Sequence, residues 1–244
     1  MATFQDSLKN AFYGLGANVL SATSSICLLD ANGNPIGSDT IERVSSYIYT
    51  KEDMVDMGLP SGTLWCKKNV GATVETASGW YFSWGNLDAH AKGAGYDFSD
   101  ANYNASSAAS ISGNLTLAQD AARANKGAGW RMPSKEEFAE LFDATNTEYV
   151  TASGNVITGT DKRTTYNGVT GLLIRSKANG NTLFFPAAGL YHGSTLDSEG
   201  SSGLYWSSSF YSAANAHSLN FGSSGVHPQS SSSRRYGFSV RPVQ

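Results

Sequence analysis

The sequence is poor in charge, has only two cysteines and contains no long apolar run. Charged residues make up 15% of its 244 residues, and the formal net charge is −3. About a quarter of the residues are charged in an ordinary globular domain. Because lysine and arginine occur at most as adjacent pairs, as at Lys67-Lys68 and Arg234-Arg235, we expect neither nucleic acid nor an anionic membrane as the main partner. Cys27 and Cys66 lack a metal-type spacing, so we expect buried thiols.

The C-terminal residues 205–244 have a restricted composition. Between the apolar pair Tyr205-Trp206 and the strand-like ending 237–243, serine dominates, with Tyr, Asn, His, Gly, Ala and Arg; Asp, Glu, Lys, Thr, Met, Ile and Cys are absent. Tyrosine and histidine offer contact area with few rotatable bonds, while serine, glycine and asparagine adapt their hydrogen bonding, as in binding loops. This composition predicts a recognition surface.

Part of this stretch has the pattern of a strand. Leu219 and Phe221 are two residues apart, so they are predicted to face one side while Ser218 and Asn220 face the other. The serine run 230–233 has a second interpretation, because such tracts are commonly flexible linkers. An apolar, strand-like ending follows the run directly, which favours the recognition surface.

Three consecutive segments carry a family pattern: the entry Tyr205-Trp-Ser-Ser-Ser209, the Asn- and Ser-rich segment 210–236, and the exit Gly237-Phe-Ser-Val-Arg-Pro-Val243. They resemble the variable target proteins of diversity-generating retroelements, which mutate adenines in template-encoded Asn codons and so draw on a similar set of residues. The resemblance implies an α+β, C-type-lectin-like fold over residues 51–244, with two helices and antiparallel strands. Its variable region would be about 205–244.

The same resemblance implies a binding mode. A rigid framework would hold the variable side chains on one face, so that changing them alters the partner without unfolding the core. The predicted ligand-binding residues are Phe210, Tyr211, Asn215, His217, Asn220, Ser224, His227, Gln229, Ser231, Arg235 and Tyr236.

Other segments resemble lectin-like domains more widely. Residues 55–66 and 69–73 resemble the opening strands of paralogous domains of Bacteroidetes and Fibrobacter proteins, and 79–85 resembles their aromatic strand, whose rings we expect in the core. Gly129-Trp-Arg-Met-Pro-Ser134 is similar to formylglycine-generating-type domains. Residues 90–113 lose all pattern and are predicted to be a long surface insertion.

Local signals predict two helices and two hairpins in this unit. Each helix opens with a capping box, and each hairpin has turn residues between strand-like runs. The predicted helices are 116–125 and 134–142, with Phe138, Leu141 and Phe142 turned inward in the second. The predicted hairpins are 149–158 and 172–186.

Residues 1–50 are predicted to form a small α/β unit for attachment or oligomerisation. Helical spacing of apolar residues marks 4–15, a strand 25–30, a turn 31–34, and a second helix begins at Asp39. Fifty residues cannot cover all of these apolar faces, so we expect the unit to dock on another surface. That surface is a phage structure or a neighbouring subunit, or equally its own C-terminal domain.

Catalytic patterns are missing. The histidines lack a metalloprotease spacing, and no Gly-x-Ser-x-Gly motif occurs. Formylglycine-generating enzymes use a cysteine pair in their C-terminal half, whereas no cysteine follows Cys66. The segment after Ser209 contains no Asp or Glu, so a lectin-type calcium site is not expected. We therefore expect no enzyme, no cofactor and no metal.

The first hypothesis is a receptor-binding protein of a phage tail, whose ligand is a bacterial surface protein or glycan. Residues 1–10 lack a secretory signal and no stretch is long enough to span a bilayer, which fits assembly on a virion and release by lysis, or a mature chain that has lost its signal. Family members on phage tails suggest a homotrimer. The rivals are a non-variable carbohydrate-binding or scaffolding protein of the bacterial cell surface and a formylglycine-type enzyme.

The family resemblance makes a prediction about the gene. We expect a near-copy of the coding segment for 205–244 beside a reverse transcriptase gene, differing from it at adenines. Sequencing the neighbouring DNA checks this, and the absence of such a copy favours the non-variable rival.

Overall fold

The computed structural model describes residues 25–29, 35–40, 53–127 and 129–244, the first two ranges as backbone only. Chain contacts form two compact units, Met1–Asp53 and Met54–Gln244. None of the helices in these described ranges is both long and apolar enough to cross a membrane.

In the first unit, strand β1 (Ser25–Leu29) pairs antiparallel with β2 (Pro35–Thr40). The predicted strand 25–30 is therefore confirmed. The predicted helix start at Asp39 is wrong, because Asp39 pairs with Ile26 in β2; pairing along a strand overrides a local capping signal. The helix predicted at 4–15, the turn 31–34 and the continuation of the second helix lie outside the described residues.

The second unit combines short helices with antiparallel strands and is α+β. Its helices are α1 (Asp100–Asn104), α2 (Ala121–Lys126) and α3 (Lys135–Leu141), with 3-10 turns at Ser107–Ser110 and Leu117–Gln119. Its strands are β3 (Met54–Asp56), β4 (Leu64–Cys66), β5 (Tyr81–Phe82), β6 (Thr147–Tyr149), β7 (Thr164–Tyr166), β8 (Val169–Ser176), β9 (Thr182–Pro186), β10 (Leu190–His192), β11 (Thr195–Asp197), β12 (Gly203–Phe210), β13 (Asn215–Gly222), β14 (Gly225–Ser233) and β15 (Phe238–Ser239).

Two sheets organise these strands. The larger has the order β14-β13-β12-β15-β5, in which only the pairing of β12 with β15 is parallel. In the smaller, β9 lies along one edge of β8, and β6 and β7 pair with opposite ends of β8. The hairpins β3-β4 and β10-β11 complete the unit. The larger sheet therefore contains the four C-terminal strands β12, β13, β14 and β15.

The capping box at the start of α3 is present as predicted. The Ser134 hydroxyl accepts from the Glu137 N–H, and the Glu137 carboxylate accepts from the Ser134 N–H. Phe138 and Leu141 are buried, as is Phe142 at the C-cap, so the inward stripe is confirmed. Burial opposes ionisation of Glu137, but hydrogen bonds led by those from Arg131 lower its pKa overall.

The other predicted helix is shorter than expected. Thr116 and Gln119 do form a capping box, but it opens only the 3-10 turn, and the chain leaves helical geometry at Asp120. The Asp120 carboxylate then caps α2 by accepting from the Arg123 N–H. Asp120 is buried and also accepts from the Met132 N–H at 2.7 Å. Its role in joining these two segments explains the break.

Both predicted hairpins form, and most of the aromatic segment is buried. β8 and β9 form the hairpin predicted at 172–186. In the hairpin predicted at 149–158, Val150 bridges Val156, and the N–H groups of Ile157 and Thr151 donate to the carbonyls of Tyr149 and Asn155, both at 2.8 Å; Tyr149 also pairs with β8. In the aromatic segment, Tyr81, Phe82 and Trp84 are buried, while Trp80 is half-buried.

The prediction that 90–113 is a surface insertion holds for most of its residues, which are exposed, but the segment also has regular structure and contacts with the core. This segment contains α1, and Phe98, Tyr103 and Ile111 are buried. The Tyr103 hydroxyl donates to the backbone carbonyl of Trp84 at 3.0 Å. Most residues of segment 90–113 are small, and only these few large side chains pack into the core. The sequence therefore shows no hydrophobic periodicity there.

The larger sheet separates two hydrophobic clusters. Tyr205 on β12 belongs to the first cluster, with α3, β8 and β9, while its neighbours Leu204 and Trp206 belong to the second. On β13, Leu219 belongs to the first cluster and Ala216 to the second. Since alternate side chains of a strand face opposite sides, both faces of this sheet are covered.

The buried side chain of Arg241 holds separate segments of the second unit together by hydrogen bonds. The Arg241 side chain donates to the Asn69 Oδ1 at 2.8 Å and to the backbone carbonyls of Cys66, Lys67 and Phe184 at 3.0, 2.8 and 2.9 Å. It is fully buried, and burial lowers its pKa. A flat guanidinium can serve four acceptors that lie in separate directions, which a lysine ammonium cannot.

We expect Arg241→Lys to destabilise the protein by about 2–4 kcal/mol, because buried carbonyls lose their donors. Urea unfolding followed by tryptophan fluorescence measures this change. The control is Arg175→Lys, on the partly exposed pair with Glu148, where we expect less than about 1 kcal/mol. Equal losses in both variants would contradict the role assigned to Arg241.

Candidate functional site

The C-terminal hairpin β13-β14 carries most of the predicted binding residues. Its strands pair antiparallel around the two-residue turn Ser223-Ser224, and β14 is the outer strand of the sheet. Residues 230–233 pair with 215–218, so the interpretation of this serine run as a flexible linker is wrong. Along β14, His227, Gln229 and Ser231 are exposed.

The strand pattern predicted for β13 is correct, but only part of its second face is open. Leu219 and Phe221 are buried in the first cluster. Ser218 lies on the other side and is also buried, opposite Trp206 of β12. The Ser218 hydroxyl lies 3.2 Å from that of Ser232. The face opposite Leu219 is therefore partly core.

The predicted binding residues do not share one face. His217 and Asn220 are three positions apart on β13, and the extra residue of the nearby bulge belongs to β14, where Ser218 pairs with Ser230 and Asn220 with His227. Successive side chains of a strand alternate, so His217 and Asn220 point to opposite faces. The prediction of a single face is wrong for this reason.

One group surrounds His217 on the side of α3. The Tyr211 and His217 rings meet edge to face, with centroids 5.1 Å apart, and Ser231 pairs directly with His217. Asn215, two positions along β13, points the same way. We call Tyr211, Asn215, His217 and Ser231 the hairpin face.

Two features set the limits of the hairpin face. Tyr211 is 55% exposed and is its most open large side chain. At the edge nearest α3, the Gln229 side-chain amide donates to the Lys135 carbonyl at 3.4 Å.

The His217 backbone carbonyl accepts from the Ser207 hydroxyl at 2.8 Å, and its ring nitrogen Nδ1 lies 3.3 Å from the Ser230 carbonyl. The histidine is thus held at the backbone and at the ring.

The remaining predicted residues lie elsewhere. Asn220 and His227 pair on the opposite side of the hairpin, and Ser224 is exposed in its turn. Phe210 and Tyr236 are half-buried against the second cluster, where they contribute packing. The ring centroids of Phe210 and Trp84 are 6.2 Å apart, and those of Tyr236 and His192 are 5.1 Å apart. Arg235 forms an ion pair with Asp100.

Arg234 is a framework residue that the sequence did not reveal. It is buried, and its guanidinium donates to the carbonyls of Ala213 and Ala108 at 2.9 and 2.6 Å. The guanidinium carbon lies 4.6 Å from the Trp84 ring centre. An Arg-Arg pair usually indicates a charged surface. Only the tendency of neighbouring side chains to point in opposite directions could have suggested that one of Arg234 and Arg235 is buried.

The chemistry of the hairpin face is that of contact and hydrogen bonding. Its four side chains supply two rings, an amide and a hydroxyl, with no carboxylate or amine among them. In the described ranges, no three His, Cys, Asp or Glu side chains form a metal-binding group. Such a surface is suited to reversible recognition.

The comparisons with known proteins place the hairpin within a matched region. Residues 173–243 match the model of a family described as a domain of unknown function, DUF8237. The match begins inside β8 and includes the whole hairpin. Searches of the curated proteins and of the solved structures give no significant match.

Burial divides neighbouring positions of β13 into replaceable and fixed ones. We expect His217→Tyr to change the free energy of unfolding by no more than about 0.5 kcal/mol, because the side chain can extend into solvent. Ser218→Tyr should cost about 3 kcal/mol or prevent folding, since it overfills the space beside Trp206. Thermal melting of the two purified variants tests this, and similar melting temperatures would contradict the assignment.

Proposed function

We propose that this protein binds a ligand noncovalently through the hairpin face, on a scaffold with a C-type-lectin-like fold. One observation carries the proposal. β13 is packed on both sides over part of its length, yet the ring of His217, on this strand, contacts the exposed ring of Tyr211, just before the strand. The backbone is fixed while the side chains that meet a partner remain replaceable.

Energetics favour this face over the rest of the predicted set. Aromatic side chains contribute most to binding when they are rigid and central, and Tyr211 and His217 brace each other edge to face. Asn215 and Ser231 add hydrogen-bonding groups around them. By contrast, Phe210 and Tyr236 already use their rings in the second cluster, so they are less free to bind.

The family resemblance supports the wider proposal. The Tyr205-Trp206 entry lies in β12, and the exit segment contains β15 and Arg241; both are buried framework around the hairpin. We propose a variable protein whose ligand is a bacterial surface protein or glycan, displayed on a phage tail, with residues 1–50 as attachment unit. Several copies on one particle would raise a weak single-site affinity through avidity.

The binding test compares the two faces of one hairpin. Tyr211→Ala with His217→Ala should weaken binding of the labelled protein to intact bacterial cells by at least about tenfold, because the central aromatic contacts are lost. Flow cytometry over a panel of strains, with protease-treated and periodate-treated cells, measures binding and separates protein from glycan ligands.

The matched control is Asn220→Ala with His227→Ala, on the opposite side of the same hairpin. We expect it to bind within about twofold of the parent, and both double variants to keep melting temperatures within about 3 °C of it. Loss of binding in the control alone, or binding by no strain in the panel, would reject the hairpin face as the receptor site.

A further inference from the structure

A polar groove lies outside the hairpin face and shares no residue with it. Its volume is about 580 Å³, within the roughly 300–1,000 Å³ common for small-molecule sites. The floor includes buried Ala187, and the polar lining includes three hydroxyl side chains and one charge of each sign: Thr76, Ser78, Thr170, Lys92 and Glu199. No step of the proposed receptor binding uses these residues.

The first wall of the groove, residues 76–79, is fixed by hydrogen bonds. The Asn69 side chain donates to the carbonyls of Ala77 and Ser78 at 3.3 and 3.0 Å, and the Ser239 hydroxyl donates to the Ser78 carbonyl at 2.9 Å. At Gly79 a Cβ atom would lie 2.3 Å from the Val70 carbonyl oxygen, so this wall packs too closely for any side chain there.

The other two walls are tight turns with uncommon backbone geometry. Asn167 and Ser198 are the non-glycine residues with positive φ in the described ranges, at 48° and 58°, and each directly precedes a residue that lines the groove. Ser198 is the more unusual, since asparagine tolerates this conformation and serine rarely adopts it. Such conformations persist where the surroundings hold them, and they recur at ligand sites.

Contacts around Ser198 hold the third wall in place. The Ser202 N–H donates to the Ser198 carbonyl at 2.9 Å, and the Gly200 N–H to the Ala187 carbonyl at 2.8 Å. A Cβ on Gly189 would lie 2.7 Å from the Glu199 nitrogen. Glu199 therefore stands on a rigid turn, and the groove is preformed.

The charges of the groove balance each other. Lys92 Nζ lies 2.8 and 2.6 Å from the two carboxylate oxygens of Glu199. The two side chains are 56% and 37% exposed, and their charges cancel, so the groove presents no unpaired charge to attract a ligand with net charge. A hydroxyl group can donate to the carboxylate or accept from the ammonium while the pair stays together. The groove thus favours uncharged molecules with many hydroxyl groups.

We propose that this groove binds a small, uncharged, hydroxyl-rich molecule with the chemistry of a mono- or disaccharide. The hydroxyl groups of Thr76, Ser78 and Thr170 and the Lys92–Glu199 pair supply its hydrogen bonds. The site is independent of the hairpin face, so one can fail without the other.

Titration of the full chain with single sugars tests this proposal. Glucose, galactose, mannose, N-acetylglucosamine, maltose and cellobiose are added while amide ¹H–¹⁵N spectra are recorded, with Gly79, Gly168 and Gly200 as reporters. At least one sugar should shift these amides with a dissociation constant of about 0.1–10 mM, the range expected for few hydrogen bonds. Zwitterionic glycine, which carries one charge of each sign, and inorganic phosphate, which has net charge, serve as comparison ligands.

Variants assign the site. Thr170→Val, which removes one hydroxyl and keeps the shape, should weaken binding roughly two- to tenfold, and Lys92→Ala with Glu199→Ala by at least about tenfold. Tyr211→Ala with His217→Ala should leave sugar affinity unchanged. The proposal is overturned if no sugar shifts the reporter amides, if only glycine or phosphate does, or if affinity persists in both groove variants while their spectra elsewhere match the parent.

Discussion

The hydrogen bonds of Arg241 are the constraint on which the second unit depends. The guanidinium joins the segment after β4, through Cys66 and Lys67, to Phe184 on β9. All of its hydrogen-bond acceptors are neutral, so no direct ion pair offsets the cost of burying its charge. A buried arginine is stable here only if each acceptor is in place. The core around the hairpin is therefore completed by a residue that follows the hairpin in the chain.

This constraint explains how the hairpin could hold the proposed recognition surface. Two residues after Arg241, Val243 pairs with both Trp65 and Arg131. These pairings tie the C-terminal residues to β4 and to the segment before α3. β12 lies between β13 and β15, so β13 rests on a strand that is covered on both sides. Replacing the Tyr211 or His217 side chain leaves these contacts untouched, whereas Ser218 is buried opposite Trp206 of β12, and Arg234 is buried against Trp84.

Local signals in the sequence predicted much of the fold. The capping box at Ser134, the hairpin 172–186 and the buried aromatic segment 79–85 depend on neighbours along the chain, and they appear as expected. The regular structure and core contacts within 90–113 could not be predicted, because a few buried rings among small residues give no periodicity. The break at Asp120 depends on its long-range hydrogen bond to Met132, which leaves no trace in local sequence.

For the proposed site, composition singled out the segment that forms the hairpin β13-β14 but did not show how its side chains divide between the two faces. Alternation alone already sets His217 and Asn220 on opposite faces. The sequence did not show which positions on each face lie under α3 or the second cluster. Ser218 illustrates the difficulty, since it has the same residue type as the exposed Ser231 yet is fully buried. Serine is small enough for either place, so composition cannot separate them.

The position of β14 at the sheet edge adds a further requirement. An outer strand offers unpaired backbone groups to other chains. If the side chains of the hairpin face are replaceable, as proposed, they cannot be relied on to prevent such pairing. Here the protection lies in the backbone: Pro228 lacks an N–H, and the bulge between Ser218 and Asn220 disturbs the register. Because neither device uses Tyr211, His217 or Ser231, these positions can change while the edge stays protected. The proposed recognition and the protection of the sheet edge thus use different atoms of the same hairpin.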